Sequence, residues 1–228
     1  MAKKNKQQQV KDEPIALDVQ LGKGEAFIEK HWKKIAIALG AVVAIVVGVY
    51  IYKLHMENQD LDAQKAIATA QAAFANQQYE QALNGDGNTK GFLKVIKEYS
   101  GTKTANIAKL YAGLSYEKLG KVDEAIKYLE DFSPKDDDIV SNVAIGALGN
   151  LYIQKGEKEK GIKKLIEGAE RANNDAVSPG LYLQAGMVYE SLGQNDKALE
   201  LYQKIKKEYF NSVIAQEEID KYIERATK

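Results

Sequence analysis

Gly113-Leu-Ser-Tyr-Glu-Lys-Leu-Gly120 is the first of three copies of one eight-residue motif, which recurs as Gly149-Asn-Leu-Tyr-Ile-Gln-Lys-Gly156 and Gly186-Met-Val-Tyr-Glu-Ser-Leu-Gly193. The copies begin 36 and 37 residues apart. Each copy is followed by a small residue five positions after its last glycine and by a large apolar residue nine positions after it: Ala125, Gly161 and Ala198, then Leu129, Leu165 and Tyr202. A repeat of this period predicts stacked pairs of antiparallel helices.

The two glycines of the motif have different structural roles. The first lacks a side chain, so the second helix of the pair can approach the backbone of the first. The second lies where a left-handed residue ends a helix. Gly161 stands where the other copies have alanine, and glycine inside a helix costs about 0.5–1 kcal/mol. We therefore expect the helix that contains Gly161 to be the least stable helix of the stack.

The spacing resembles the tetratricopeptide repeat (TPR), whose helical hairpins recur at about 34 residues. Gly91 and Val95 lie 34 residues before Ala125 and Leu129, which extends the pattern to a degenerate first repeat. Residues 213–226 are amphipathic, as expected of a helix that covers the last apolar face of a solenoid. The fold class expected is all-α, an α-solenoid of three to four repeats with a C-terminal capping helix.

Composition excludes several classes of function. The 228 residues include 32 basic and 32 acidic side chains, so the chain lacks the basic excess typical of nucleic-acid binding. It has no cysteine and only two histidines, His31 and His55, which cannot supply a catalytic pair or a metal cluster within the repeats. No phosphate-binding loop is present. We expect no enzyme activity, no cofactor, no metal and no small-molecule substrate.

An uncharged segment of eighteen residues, Ile35–Tyr52, precedes the repeats. At about 1.5 Å per residue it spans roughly 27 Å, close to the thickness of a bilayer core. Ten of its residues are Ile, Leu or Val, each of which favours insertion, and no face is polar. Trp32 precedes it, and Tyr50 and Tyr52 end it, as interfacial anchors do. The sequence predicts a single N-terminal transmembrane helix.

A cleaved signal peptide is the alternative interpretation of this segment. The apolar run is longer than the usual signal core, starts after 34 residues and lacks a small-x-small cleavage site. Four lysines precede it within fifteen residues and two follow it: Lys23, Lys30, Lys33 and Lys34, then Lys53 and Lys65. The positive-inside rule therefore predicts a single-pass protein with a cytoplasmic N-terminus and with its repeats outside, in the periplasm beyond the inner membrane if the cell is a diderm bacterium.

These patterns predict five segments. We expect a cytoplasmic leader at 1–34, whose first 14 residues are a disordered tail, and a transmembrane helix at 35–52. We expect a long helix and the first half of the degenerate repeat at 53–84, the solenoid at 85–210 and the capping helix at 211–228. Because the first helix breaker after the membrane segment is Asn84-Gly85, we expect one nearly continuous helix from Glu25 to Leu83.

The TPR resemblance implies that partners bind the concave face formed by the first helices. The positions carried over are mostly apolar: Ile107, Leu110 and Leu114, then Val143, Gly146 and Asn150, then Gly180, Leu183 and Met187. Chaperone-binding members place lysine, arginine and asparagine there to hold a peptide carboxylate, and this chain departs from them at Leu110, Gly146, Leu183 and Met187. The alternative is that some of these side chains pack against neighbouring repeats.

Small residues recur every four positions along the membrane segment, at Ala36, Gly40, Ala44 and Gly48. Such a ladder permits close packing with another transmembrane helix, although it also arises by chance in spans rich in alanine and glycine.

The whole layout resembles the bacterial YfgM-like family of ancillary TPR subunits of the Sec translocon. The residues that carry the resemblance are the lysine-flanked anchor, Phe27–Lys34, the alanine-rich helix after it and the repeats. The resemblance implies an adaptor that assists secreted-protein handling, with translocon subunits, periplasmic chaperones or unfolded chains as partners and the lipid bilayer as its support. The alternative is a structural scaffold that organises a cell-envelope or division complex.

Overall fold

The computed structural model describes residues 16–228, with side chains from Phe27 onward. The prediction of a disordered tail at residues 1–14 lies outside the described residues. The chain divides after His55 into two units, residues 1–55 and residues 56–228, which are described separately.

Ten α-helices and one π-helical turn make up the described chain. They are α1 (Ala16–Ala75), α2 (Tyr79–Asn84), α3 (Phe92–Glu98), α4 (Lys103–Lys118), α5 (Val122–Asp131), α6 (Val140–Gln154), α7 (Lys158–Ala172), α8 (Ser178–Ser191), α9 (Asn195–Glu208), the π-helical turn (Ile214–Glu218) and α10 (Ile219–Ala226). The only β-type pairing among residues 16–228 is one isolated bridge between Gly85 and Lys90. The all-α class is confirmed.

The three motifs end the first helices of three helical hairpins, which are α4 with α5, α6 with α7 and α8 with α9. Each first glycine packs against the large apolar residue of the opposite helix, the one that lies nine positions after the second glycine. A Cβ on Gly113 would lie 2.6 Å from Leu129 Cγ, and a Cβ on Gly186 would lie 2.3 Å from Tyr202 Cε1. No side chain fits at such distances, so the predicted close approach is confirmed.

Each second glycine ends its helix in the left-handed region, with φ of 72° at Gly120, 92° at Gly156 and 69° at Gly193. The backbone N–H of the residue after this glycine closes the turn by donating to the carbonyl oxygen of the motif's tyrosine, as Lys121 does to Tyr116 over 2.9 Å. This is the Schellman end of a helix, in which a left-handed residue lets two N–H groups satisfy orphan carbonyls.

The expected helix from Glu25 to Leu83 is wrong, because α1 ends at Ala75. Gln77 has φ of 62°, and Gln78 N–H bonds to the carbonyl of Ala73 over 2.9 Å, the same bonding as at the three glycines. Gln77 therefore occupies the glycine position of the first repeat without being glycine. The turn between the two helices of that repeat lies at residues 76–78 rather than in the loop after Leu83.

The second helix of the first repeat is split into α2 and α3, and both parts pack on α4. The loop between them leaves the helix and returns to it. A Cβ on Gly91 would lie 2.3 Å from both the Gly85 nitrogen and the Leu83 carbonyl oxygen, so the ends of the loop meet. Asp86 closes the loop by accepting the N–H groups of Asn88 and Thr89 at 2.9 and 2.7 Å. The insertion thus interrupts a helix instead of lengthening a turn.

Gly161 has a packing role that the sequence comparison with alanine did not reveal. A Cβ there would lie 2.4 Å from Ile153 Cγ1 and 2.6 Å from the Gly149 carbonyl oxygen. In the α6–α7 hairpin two glycines therefore face each other, and the two backbones lie close together. This contact explains the glycine, because a side chain would not fit there, even though glycine lowers the helix propensity of α7.

Three clusters of buried side chains form the core of residues 56–228. One joins the end of α1 to α2, α3 and α4, the second joins α4, α5 and α6, and the third runs from α7 to α10. Ile219 and Ala226 of α10 are buried in the third cluster, so the last helices cover its open end. Each hairpin thus buries its apolar face against the next, as in other solenoids.

Candidate protein-binding groove

A groove of about 270 Å³ lies between the first helices of two successive hairpins, α6 and α8. Its lining is apolar or neutral: Val143, Gly146, Ala147, Asn150, Ala176, Val177, Gly180, Leu181 and Gln184. Four of these residues, Val143, Gly146, Asn150 and Gly180, were identified as inner positions from the repeat spacing. We call this surface the α6–α8 groove.

The floor of the groove is set by Gly146. A Cβ at this position would lie 2.4 Å from Leu181 Cδ2, so the glycine allows α8 to rest against α6. One turn further along α6, Asn150 Nδ2 donates to Gln184 Oε1 over 2.8 Å and ties the two helices together. The groove is therefore built mainly from the faces of α6 and α8, with Ala176 and Val177 of the preceding connection at one end.

The predicted contact residues fall into three groups by exposure. Val143, Asn150 and Met187 are exposed, and Ile107, Leu114 and Leu183 are partly buried against the core clusters. Leu110 is only 7% exposed and belongs to the core with Ala144 and Leu148 of α6. The exposed members of the predicted set thus lie on α6 and α8, whereas Leu110 is buried.

Two exposed apolar residues that the sequence analysis did not single out lie at the start of α6. Ile139 and Val140 are 54% and 45% exposed and lie within one helical turn of Val143, itself 47% exposed. The connection that precedes them is held to the connection before α8, because Asn174 Nδ2 donates to the Asp138 carbonyl oxygen over 3.0 Å. The signal was available in the sequence, because Ile-Val at a helix start follows three aspartates, but repeat spacing alone gave no reason to choose it.

The groove carries almost no charge of its own. No residue of α6 is charged, and in α8 only Glu190 is. Glu190 accepts a hydrogen bond from Arg225 Nε at 3.0 Å and is therefore engaged with α10. A surface of this kind favours apolar contact and gives no site for a peptide carboxylate.

Asp137 fixes the start of α6. Its carboxylate accepts the N–H groups of Ser141 at 3.0 Å and Ile139 at 3.2 Å. Burial acts to raise the pKa of Asp137, but the hydrogen bonds from Ser141 and Ile139 outweigh it, so the pKa lies below its ordinary value. The ionised carboxylate thus holds the edge of the groove in place at neutral pH.

A second and larger cavity, of about 470 Å³, lies between α5, α6 and α7. It exists because α5 ends at Asp131, shortly before Pro134, and is shorter than its counterpart α7. Its rim is already paired internally, since Lys164 bonds to Glu167 at 2.7 Å and Lys160 lies 3.7 Å from the centre of the Tyr152 ring. The α6–α8 groove is the better candidate for a partner, because its apolar surface is open.

In the first unit, the described part of α1 is exposed along the apolar segment Ile35–Tyr52. The helix is long and apolar enough to cross a membrane, judged by length and composition alone, and a signal sequence would meet the same criteria. Gly40 and Gly48 have open space where a Cβ would be. Packing of the small-residue ladder against another helix stays a prediction.

The comparisons with known proteins agree on the fold. The family model of the tetratricopeptide repeat-like domain matches residues 25–220. A crystal structure of nearly identical TPR-like repeats from Podospora anserina has a TM-score of 0.56 at 13% identity, covering 73% of this chain and 85% of that chain. The crystal structure of MamA protein has a TM-score of 0.50 at 20% identity, covering 75% of this chain and 91% of that chain. No curated protein matches the sequence.

Proposed function

We propose that this chain, which belongs to the tetratricopeptide repeat-like domain family, is an adaptor that binds extended apolar segments of other proteins in the α6–α8 groove. Repeats of this family serve protein–protein interaction far more often than catalysis, and solenoids use their concave surface for it. The observation that carries the proposal is the open, uncharged groove in which Val143 is about half exposed.

The dimensions of the groove support transient binding. It spans two helices and holds a short segment, so the complex buries less than about 1,200 Å² in total, which is the range of weak encounters. A micromolar dissociation constant, equivalent to about −8 kcal/mol, is the affinity expected of such a contact. A weak site of this kind suits an adaptor that must release its partner.

We propose that α1 anchors the adaptor in a bacterial inner membrane, with the N-terminus in the cytoplasm and the repeats in the periplasm. The exposed apolar segment Ile35–Tyr52 and the excess of lysines before it support this orientation. Anchoring offsets a weak groove, because a partner held in the same membrane is present at a high effective concentration.

Assistance of secreted-protein handling at the Sec translocon is the finer role that we propose. It rests on the layout of anchor, alanine-rich helix and repeats, which resembles the YfgM-like translocon subunits. Translocon subunits, periplasmic chaperones and emerging unfolded chains are then the partners. The test is quantitative mass spectrometry of what copurifies with the full-length chain from membranes.

A matched pair of variants makes the experiment specific to the groove. Val143→Glu places a charge in the groove, whereas Leu61→Glu makes the same kind of change at an exposed apolar position of α1. We expect translocon and folding factors to be depleted by the first variant alone. Equal recovery with both variants would remove the groove from the account, and recovery of division or cell-wall proteins instead would favour a scaffold of the envelope.

A further inference from the structure

Four aspartates lie in the two connections that lead into α6 and α8, the helices of the groove. Asp136, Asp137 and Asp138 lie in the connection before α6, and Asp175 lies in the connection before α8. Asn174 Nδ2 donates to the Asp138 carbonyl oxygen over 3.0 Å and holds the two connections together. Asp175 directly precedes Ala176, which lines the groove.

Three of these carboxylates are available to a partner. Asp136, Asp138 and Asp175 are exposed, and within the part of the chain whose side chains are described none of them has a basic group within 4.0 Å. Asp137 keeps its charge but is occupied with the start of α6. The loop end of the groove therefore has uncompensated negative charge.

The nearest basic side chains on these loops do not line the groove. Lys135 lines a different cavity beside the start of α4, together with Lys103 and Lys109. Arg171, in the last turn of α7, donates to the Lys135 carbonyl oxygen over 3.4 Å. The apolar strip of Ile139, Val140 and Val143 thus leads directly to aspartates, whereas the middle of the groove is closed by the neutral pair of Asn150 and Gln184.

We infer that the groove selects apolar protein segments that carry lysine or arginine at one end, and that it holds the basic end against Asp136, Asp138 and Asp175. Apolar contact alone does not distinguish one hydrophobic sequence from another. Charge next to the contact does, because it attracts complementary segments and repels acidic ones. The inference rests on the proposed function and adds the partner's chemistry and its direction in the groove.

Three fluorescent peptides with one apolar core test the inference. They end in two lysines, two serines or two glutamates, and their binding to the full-length chain in zwitterionic nanodiscs is measured by anisotropy, with empty nanodiscs as the blank. Exposed ion pairs contribute about 0.2–1 kcal/mol each, so we expect the lysine peptide to bind about two- to tenfold more tightly than the serine peptide at low salt. The glutamate peptide is expected to bind most weakly, and the ratios should fall in 300 mM salt.

Two triple variants separate the loop charges from the general charge of the chain. Asp136→Asn with Asp138→Asn and Asp175→Asn should bring the lysine and serine peptides to equal affinity and leave the serine peptide unchanged. Glu159→Gln with Glu170→Gln and Glu200→Gln removes the same charge from exposed positions of α7 and α9 and should preserve the preference.

The outcomes distinguish this inference from the function on which it rests. Binding of the serine peptide without a preference for lysine, or a preference that survives the loop variant, overturns the inference and leaves the groove intact. Failure of all three peptides to bind overturns the proposed function and the inference together.

Discussion

Gly149 and Gly161 face each other across the interface of α6 and α7, and a Cβ built on each would lie 2.9 and 2.6 Å from the other's carbonyl oxygen. Helix propensity and packing make opposite demands at such a site. Alanine would favour the helix by about 1 kcal/mol, whereas a new methyl group in a filled interface costs typically about 1–3 kcal/mol. The packing cost exceeds the gain in propensity, so the site requires glycine.

Gly161→Ala is therefore expected to lower the free energy of unfolding by up to about 2 kcal/mol, the overpacking cost less the gain in propensity. Urea denaturation followed by circular dichroism measures the change. Gly87→Ala is the matched control, since a Cβ on Gly87 has no atom within 4 Å and its effect should stay within about 0.5 kcal/mol. Stabilisation by Gly161→Ala would mean that the hairpin is looser than described.

Two aspartates make the stability of the repeats depend on acid. Asp60 accepts the N–H of Thr104 over 2.8 Å. Burial acts to raise the pKa of Asp60, but the hydrogen bonds from Thr104 and Gln64 outweigh it, so the pKa lies below its ordinary value of 3.8. Asp137 behaves in the same way at the start of α6. Both carboxylates lose their protons more readily in the folded chain than in the unfolded one.

The sign of the pH effect follows from the lowered pKa values. The stabilisation is complete above about pH 4, where the unfolded carboxyl group is also ionised, and is lost as the pH falls through the folded pKa. We expect Asp60→Asn and Asp137→Asn to flatten the loss of unfolding free energy below pH 4, measured by urea titrations at successive pH values. Asp62→Asn, on an exposed part of α1, should leave the slope unchanged.

At the scale of helices, the hairpins with two glycines were predictable because each glycine answers a strict geometric need. The first repeat was not, because its left-handed residue is Gln77 and its second helix contains an insertion. A glutamine with positive φ gives no sequence signal, since its cost is met by the bonds of the turn and by packing of Ala82 and Leu83 behind it. The helix end was therefore placed eight residues too late.

The groove shows a similar division between what sequence could and could not give. Repeat spacing located Val143, Asn150 and Met187 on the inner face, where the structure exposes them. It could not show that Leu110 is buried with Ala144 and Leu148 of α6, because that contact joins two hairpins and depends on how they pack. The acidic loops were visible in the sequence, but their position beside an apolar strip required the fold.

The apolar part of α1 is the element on which the proposed membrane anchoring depends. Val43→Arg with Val46→Arg should release the chain from membranes, because each arginine at the centre of a span costs about 2.5–3.5 kcal/mol of insertion. Extraction with alkaline carbonate measures the release. Ala68→Arg with Ala72→Arg adds the same charge to exposed positions further along α1 and should leave the chain in the membrane pellet. Equal behaviour of the two pairs would argue against an anchor.

At the scale of the whole molecule, the orientation of the proposed anchor decides which compartment holds the groove. With the lysines before Ile35 in the cytoplasm, protease added to spheroplasts should digest residues 56–228 and spare a tag at Met1. Disruption of the spheroplasts should expose the tag and serves as the control. Digestion of the tag with protection of the repeats in intact spheroplasts would reverse the proposed topology.

The central claim is that a partner segment lies between α6 and α8, and a photoreactive peptide tests it most directly. A peptide with an apolar core and a benzophenone side chain is crosslinked to the full-length chain in nanodiscs, and the attachment sites are mapped by mass spectrometry. The account predicts adducts on the α6–α8 groove, at Val143, Ala147 and Gln184, that disappear in Val143→Glu. Adducts confined to the cavity between α5 and α7, or to the outer faces of α7 and α9, would contradict it.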